Sequence, residues 1–112
     1  MDEFLAAAIE EAENGMASGG VPIGSVLVVN EKIVARGHNR QSQMYSIIRH
    51  AELDCIDRAG ELSPAELSQS TIYTTLSPCD MCAGAILFFN IPKVIIGENH
   101  NYKGAEDYLI SR

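Results

Sequence analysis

Residues 71–82 read Thr-Ile-Tyr-Thr-Thr-Leu-Ser-Pro-Cys-Asp-Met-Cys. The first six are rich in β-branched side chains, which predicts a strand over 71–76. Ser77 has the chemistry of a helix N-cap and Pro78 that of a first helical residue, so a helix is predicted from about Cys79 to Phe89. Lys93 to Ile96 reads as a further strand beyond it. A strand that feeds a helix and then another strand implies a right-handed crossover and parallel pairing.

Upstream, residues 3–17 carry Phe4, Leu5, Ala8, Ile9, Ala12 and Met16 at three- and four-residue spacing, with Glu3, Glu10, Glu11 and Glu13 mostly opposite. That is the pattern of an amphipathic helix, ended by Gly19-Gly20. Residues 24–30 and 32–38 read as two strands joined by a tight hairpin at Asn30-Glu31. A short helix is expected over 50–59, stopped by Gly60, and Ser63-Pro64-Ala65-Glu66 has the form of a capping box. Ala105 to Ile110 reads as a last helical turn or two. A hairpin followed by strands alternating with helices predicts an α/β fold, with a mixed β-sheet covered by helices on its faces.

At 112 residues the chain is expected to be one domain, spanning 1–112. Eight Lys and Arg face fifteen Asp and Glu, a net charge of −7, and the basic residues form no patch. A protein that grips nucleic acid needs such a patch to displace counterions from phosphate, so no nucleic-acid partner is expected and a small uncharged ligand fits better. No apolar run has the length of a membrane span, and Met1-Asp2-Glu3 is acidic where a signal peptide is basic. No membrane partner is expected, and the location expected is cytoplasmic. Three cysteines without a signal segment argue against a disulfide framework.

The chemistry gathers at two helix entrances. Cys79 and Cys82 are one turn apart, in the turn whose free N–H groups and positive dipole end favour thiolate over thiol. His50 opens the other helix. Two thiolates and one neutral imidazole balance Zn²⁺ and leave its fourth tetrahedral position open, as a catalytic zinc site requires. Cys55 lies about 140° round the helix from His50 and is read as core packing. Glu52 stands about 200° from His50 in a regular helix, so both reach one ion only if it lies beyond the helix end. There Glu52 would sit beside the attacking water rather than on the metal, placed to move its proton. Either motif alone is weak; a lone Cys-x-x-Cys is as often redox or structural. The conjunction of His50-Ala51-Glu52 with Pro78-Cys79-Asp80-Met81-Cys82 is far more selective.

With that conjunction the sequence resembles the cytidine deaminase superfamily, whose signature pairs His-x-Glu with Pro-Cys-x-x-Cys. Within it the chain is most similar to fungal-type cytosine deaminases. The likeness covers nearly the whole chain: Gly20-Val21-Pro22-Ile23-Gly24, Arg36-Gly37-His38-Asn39, the two zinc motifs, Gly84-Ala85-Ile86 and Gly97-Glu98-Asn99. It implies a three-layer α/β/α sandwich, a homodimer, one zinc per chain on His50, Cys79 and Cys82, and Glu52 as catalytic proton shuttle. It also implies conversion of a free nucleobase, cytosine, to uracil and ammonia, as in pyrimidine salvage. Asn39 matches the family's pyrimidine-binding side chain, and Tyr102 stands where the family sets an aromatic, usually phenylalanine, against the ring. Read alone, Asn39 is a strand-end turn residue and Tyr102 a buried aromatic. His38 and His100 have no evident partner and read as surface or hydrogen-bonded side chains.

The family's domain continues past this end with a further strand and a C-terminal helix, which supply an acidic residue and an aromatic lid. The chain ends at Arg112. The resemblance therefore implies a C-terminally short sandwich lacking those elements. The apolar stretch from Met81 to Phe89 needs cover on every side, which the domain's own helices or a second subunit can give; the resemblance favours the subunit. Other substrates remain open: guanine, a nucleoside, or adenosine in tRNA, the last opposed by the acidic balance. A non-catalytic zinc module and a Cys-x-x-Cys oxidoreductase are the readings from other classes.

Overall fold

The computed structural model describes residues 3–20, 22–39, 50–60, 62–75 and 79–97. Helix α1 (Glu3–Ala17) comes first, followed by the hairpin of β1 (Gly24–Val29) and β2 (Lys32–His38). Asn30 and Glu31 both take positive φ, 52° and 62°, the conformation that lets a two-residue turn match the twist of its strands. Leu27 pairs with Ala35 but Val28 with Ile33, so Val34 bulges out of the ladder.

Helix α2 (Ala51–Arg58) is followed by Gly60 at φ 73°, which stops it. The single turn α3 (Pro64–Leu67) opens on the expected capping box: Glu66 N–H donates to Ser63 Oγ at 3.1 Å, and Ser63 N–H to Glu66 Oε1 at 3.0 Å. Strand β3 (Ser70–Thr74) leads to α4 (Asp80–Phe88) and then β4 (Lys93–Ile96). Asn90 adopts φ 58° after α4, and Ile91 N–H closes back on Ile86 O at 3.1 Å, a Schellman ending whose Ile91 packs in the core beside Ile86.

The four strands lie in the order β2-β1-β3-β4, antiparallel except for the parallel β3–β4 pair, so the sheet is mixed as expected. Alternate residues of its strands feed two cores. Leu27, Ala35 and Ile72 meet Cys55 of α2 and Ile86 of α4 on one face; Val26, Val28 and Tyr73 meet Phe4, Leu5 and Ala8 of α1 on the other. Helix, sheet and helix make a three-layer α/β/α sandwich. Full burial of Leu27, Ile72 and Ile86 is worth about 1.5–3 kcal/mol for each side chain. Helix α2 lies so close to β2 that a Cβ on Gly37 would collide with the backbone nitrogen of Cys55 and oxygen of Ala51.

Two expectations are corrected. In α1 the inward face is Ala8, Glu11, Ala12 and Gly15, while Ile9 and Met16 are 37 % and 57 % exposed. Glu11 turns inward because His38, on the sheet beneath it, offers a ring nitrogen 2.7 Å from its carboxylate. In α4 the N-cap is Cys79 rather than Ser77, and the helix starts at Asp80. The helical turn expected over 105–110 lies outside the described residues. Among those described, no helix is long and apolar enough to cross a membrane.

Candidate active site

The register places the ends of β2, β3 and β4 and the start of β1 along one edge of the sheet: Gly24 faces His38, Ser25 faces Thr74, and Thr74 faces Ile96. Open α/β sheets bind ligands outside the carboxyl ends of such strands. Here helices α2 and α4 set out after β2 and β3, and each begins with a residue that is unusual as an N-cap. His50 (φ −69°, ψ 162°) and Cys79 (φ −76°, ψ 176°) are extended, and neither side chain caps its own helix. N-caps are normally Ser, Thr, Asp or Asn, whose oxygen folds back onto the helix. The imidazole and the thiol are thereby free to meet each other.

They do meet. His50 Nδ1 lies 3.4 Å from Cys79 Sγ and 3.6 Å from Cys82 Sγ, and the three donor atoms all lie within 4.8 Å of one another. A tetrahedral zinc with Zn–S near 2.3 Å and Zn–N near 2.05 Å sets its nitrogen and sulfur ligands about 3.6 Å apart. The observed separations fit that ion, and the donor set of one imidazole and two thiols is a zinc set. His50, Cys79 and Cys82 are positioned to hold a metal ion.

Burial supports the fit. The Cys82 side chain is fully buried, and burial, with Glu52 and Cys79 as neighbours, pushes its thiol well above the ordinary range. A divalent cation at the cluster reverses that preference and favours the thiolate. Cys55 is fully buried in the core with its Sγ 3.6 Å from Ala35 O, and it takes no part in the cluster.

Glu52, the second residue of α2, is buried beside the cluster but outside the ligand group. Burial pushes its carboxyl up to about 7, partly offset by hydrogen bonds from its own backbone and from Cys82. A carboxylate whose proton affinity is raised by burial thus lies beside the three donor atoms.

Asn39 is buried directly after β2, its N–H donating to Ile23 O at 3.0 Å. Tyr102 and His100 lie outside the described residues. His38 has a partner that periodicity did not reveal: its Nδ1 meets Glu11 Oε1 at 2.7 Å inside the α1 layer. Asp54 of α2 was also missed. It is fully buried, and its Oδ2 accepts the His38 backbone N–H at 3.1 Å.

The sequence profile of the cytidine and deoxycytidylate deaminase zinc-binding region matches residues 1–98. The chain belongs to that family. A cytosine deaminase of Candida albicans is 41 % identical over 107 residues, covering 95 % of this deaminase and 71 % of that protein. A tRNA-specific adenosine deaminase of Bacillus subtilis is 43 % identical over 95 residues, covering 84 % of the chain and 59 % of that protein. Among solved structures, a guanine deaminase from Bacillus subtilis superposes with a TM-score of 0.81 at 32 % identity, over 96 % of this chain and 70 % of that one. Family membership implies a zinc-dependent hydrolytic deaminase and agrees with the α/β/α sandwich. Relatives acting on cytosine and on tRNA adenosine stand equally near, so membership alone does not name the substrate, and the absence of a nucleic-acid partner is not carried by it.

Proposed function

We propose that the deaminase acts on a free nucleobase, converting cytosine and water to uracil and ammonia. The observation that carries the deaminase chemistry is Glu52, a buried carboxylate set against the His50–Cys79–Cys82 cluster yet outside its ligand group. A zinc site that served folding alone would not need that carboxylate.

His50 Nδ1 and the sulfurs of Cys79 and Cys82 would hold the zinc. When bound, zinc supplies Lewis-acid activation of water at neutral pH. Glu52 accepts a proton from the attacking water and delivers it to N3 of the base, which makes C4 electrophilic. The oxygen of the deprotonated water bonds to C4. Glu52 then moves the remaining hydroxyl proton to the exocyclic nitrogen, and the C4–N bond breaks, leaving the C4 carbonyl of uracil and ammonia. Asn39 is assigned to hydrogen-bond the pyrimidine, and Tyr102, outside the described residues, to supply the aromatic partner of the ring. The unit comprises residues 1–112 as one domain, works as a homodimer, and belongs in the cytoplasm with pyrimidine salvage as its setting.

The fungal relative and the net charge of −7 support a small neutral substrate over a polyanion. The Bacillus relative supports a second reading, deamination of adenosine in tRNA. Ammonia release from the zinc-loaded protein, measured with cytosine, guanine, adenine, cytidine and a tRNA anticodon stem-loop, separates them. Turnover of cytosine above all others is expected. Preferential turnover of the stem-loop would replace this substrate with the second reading, and zinc binding without turnover of any would leave a non-catalytic module.

A further inference from the structure

We propose that Asp54 is a positioning residue that fixes the end of β2, and with it Asn39, against the helix entrance bearing His50 and Glu52. The inference rests on the functional reading above and adds a residue to it.

Three observations carry it. Asp54 Oδ2 accepts the His38 backbone N–H at 3.1 Å, while the Asp54 backbone N–H donates to His50 O at 2.8 Å. One residue thus ties the main chain just before Asn39 to the main chain of a metal-ligand position. Both ties are buried, Asp54 having no exposed surface. The strand end is also held from its other sides: Glu11 of α1 meets the His38 ring at 2.7 Å, and Asn39 N–H bonds Ile23 O at 3.0 Å. Of these holds, the Asp54 bond is the one that reaches the helix carrying Glu52.

Its chemistry is costly for mere adhesion. The neighbouring Cys55 and Ile56 join α2 to the sheet by apolar packing, and an apolar residue at 54 could extend that packing. A buried carboxylate loses its hydration, and what it gains over an apolar side chain is direction. A hydrogen bond fixes distance and angle where packing permits sliding. Backbone contact at Gly37 brings β2 and α2 together; Asp54 sets their register.

The test compares Asp54→Ala and Asp54→Leu with Asp54→Asn, which keeps the acceptor oxygen. Amide hydrogen exchange at His38 and Asn39, zinc content, and KM and kcat for cytosine are measured on the zinc-loaded proteins. In the Ala and Leu variants the His38 amide exchanges about a hundredfold faster. In the same variants zinc stays at the wild-type level, and KM rises about tenfold with kcat changed less than about threefold. The Asn variant returns both readouts toward wild type. Should Ala fail to fold, Leu fills the volume without the acceptor and decides the matter, and Asn decides whether acceptance is what counts. Unchanged exchange and KM in Ala or Leu overturn the proposal, as does joint loss of zinc and kcat, which would make Asp54 a support of the metal helix. If wild type turns over no base, the functional reading fails by itself, and exchange at His38 still decides whether Asp54 holds the strand end.

Discussion

His50 Nδ1 stands 3.4 Å from Cys79 Sγ although 29 positions separate the two residues, and each is the N-cap of its own helix. Two helix entrances on one edge of a sheet are thereby stitched into a single donor cluster. An N-cap lies outside the helix proper and so escapes the angular rule that would send residues 50 and 52 to opposite sides of a regular helix. That is why one short segment can supply both a ligand and a neighbouring carboxylate.

Metal removal should cost stability as well as activity, because the cluster joins two elements far apart in sequence. A ligand at a hundredfold excess over its Kd contributes about 2.7 kcal/mol, and a domain of this size shifts by about 4–8 °C per kcal/mol. Chelation is therefore expected to lower Tm by about 10–20 °C, reversed by added zinc. His50→Ala, Cys79→Ala and Cys82→Ala should each fail to retain zinc through dialysis, as read by elemental analysis.

The thiols should divide into two classes. Burial pushes Cys55 far above the usual range, with Asp54, Glu52 and Glu11 adding to the effect, so it should resist alkylation in the folded protein with or without metal. Cys79 and Cys82 should be protected in the zinc form and react after chelation, the half-buried Cys79 before the buried Cys82. Mass spectrometry after brief iodoacetamide treatment reads the order.

The metal-free protein should lose stability as pH rises from about 4.5 to about 7. Glu52 has a folded-state pKa of about 7 against the ordinary 4.5, so between those values the folded chain holds a proton that the unfolded chain has released. Its contribution is fully present below about 4.5 and is lost as pH passes 7, a change of roughly 3 kcal/mol. Glu52→Gln should flatten that part of the Tm–pH curve in the metal-free protein.

Phe88 is 79 % exposed on α4, with its ring edge-on to Phe89 at 5.1 Å. Exposed aromatics on so apolar a helix suit an interface between copies. Light scattering should give a dimer for the wild type and a monomer for Phe88→Asp, with zinc content unchanged. A wild-type monomer would leave that face without the proposed subunit.

Much of this architecture is legible in the residues. The 3.6-residue period marks α1, the β-branched run marks β3, and Ser63 and Glu66 announce their capping box. His50, Cys79 and Cys82 were readable because metal chemistry restricts which side chains serve and at what spacing. Glu11 and Asp54 were not, since an acidic residue on a helix reads as solvated until the opposing partner is known, and here both partners belong to His38 across the fold. Capping propensity favoured Ser77 over Cys79, but a cap whose side chain is engaged elsewhere escapes propensity. Which nitrogen of His50 faces the sulfurs is likewise set by tertiary placement.

The most direct test of the account is turnover by Glu52→Gln beside the wild type, both loaded with one zinc per chain, followed by cytosine absorbance and ammonia release. Uracil formation by the wild type is expected, with a loss of at least about 10³-fold in kcat for the variant and zinc retained. A zinc-loaded Glu52→Gln protein that deaminates cytosine at the wild-type rate would contradict the account.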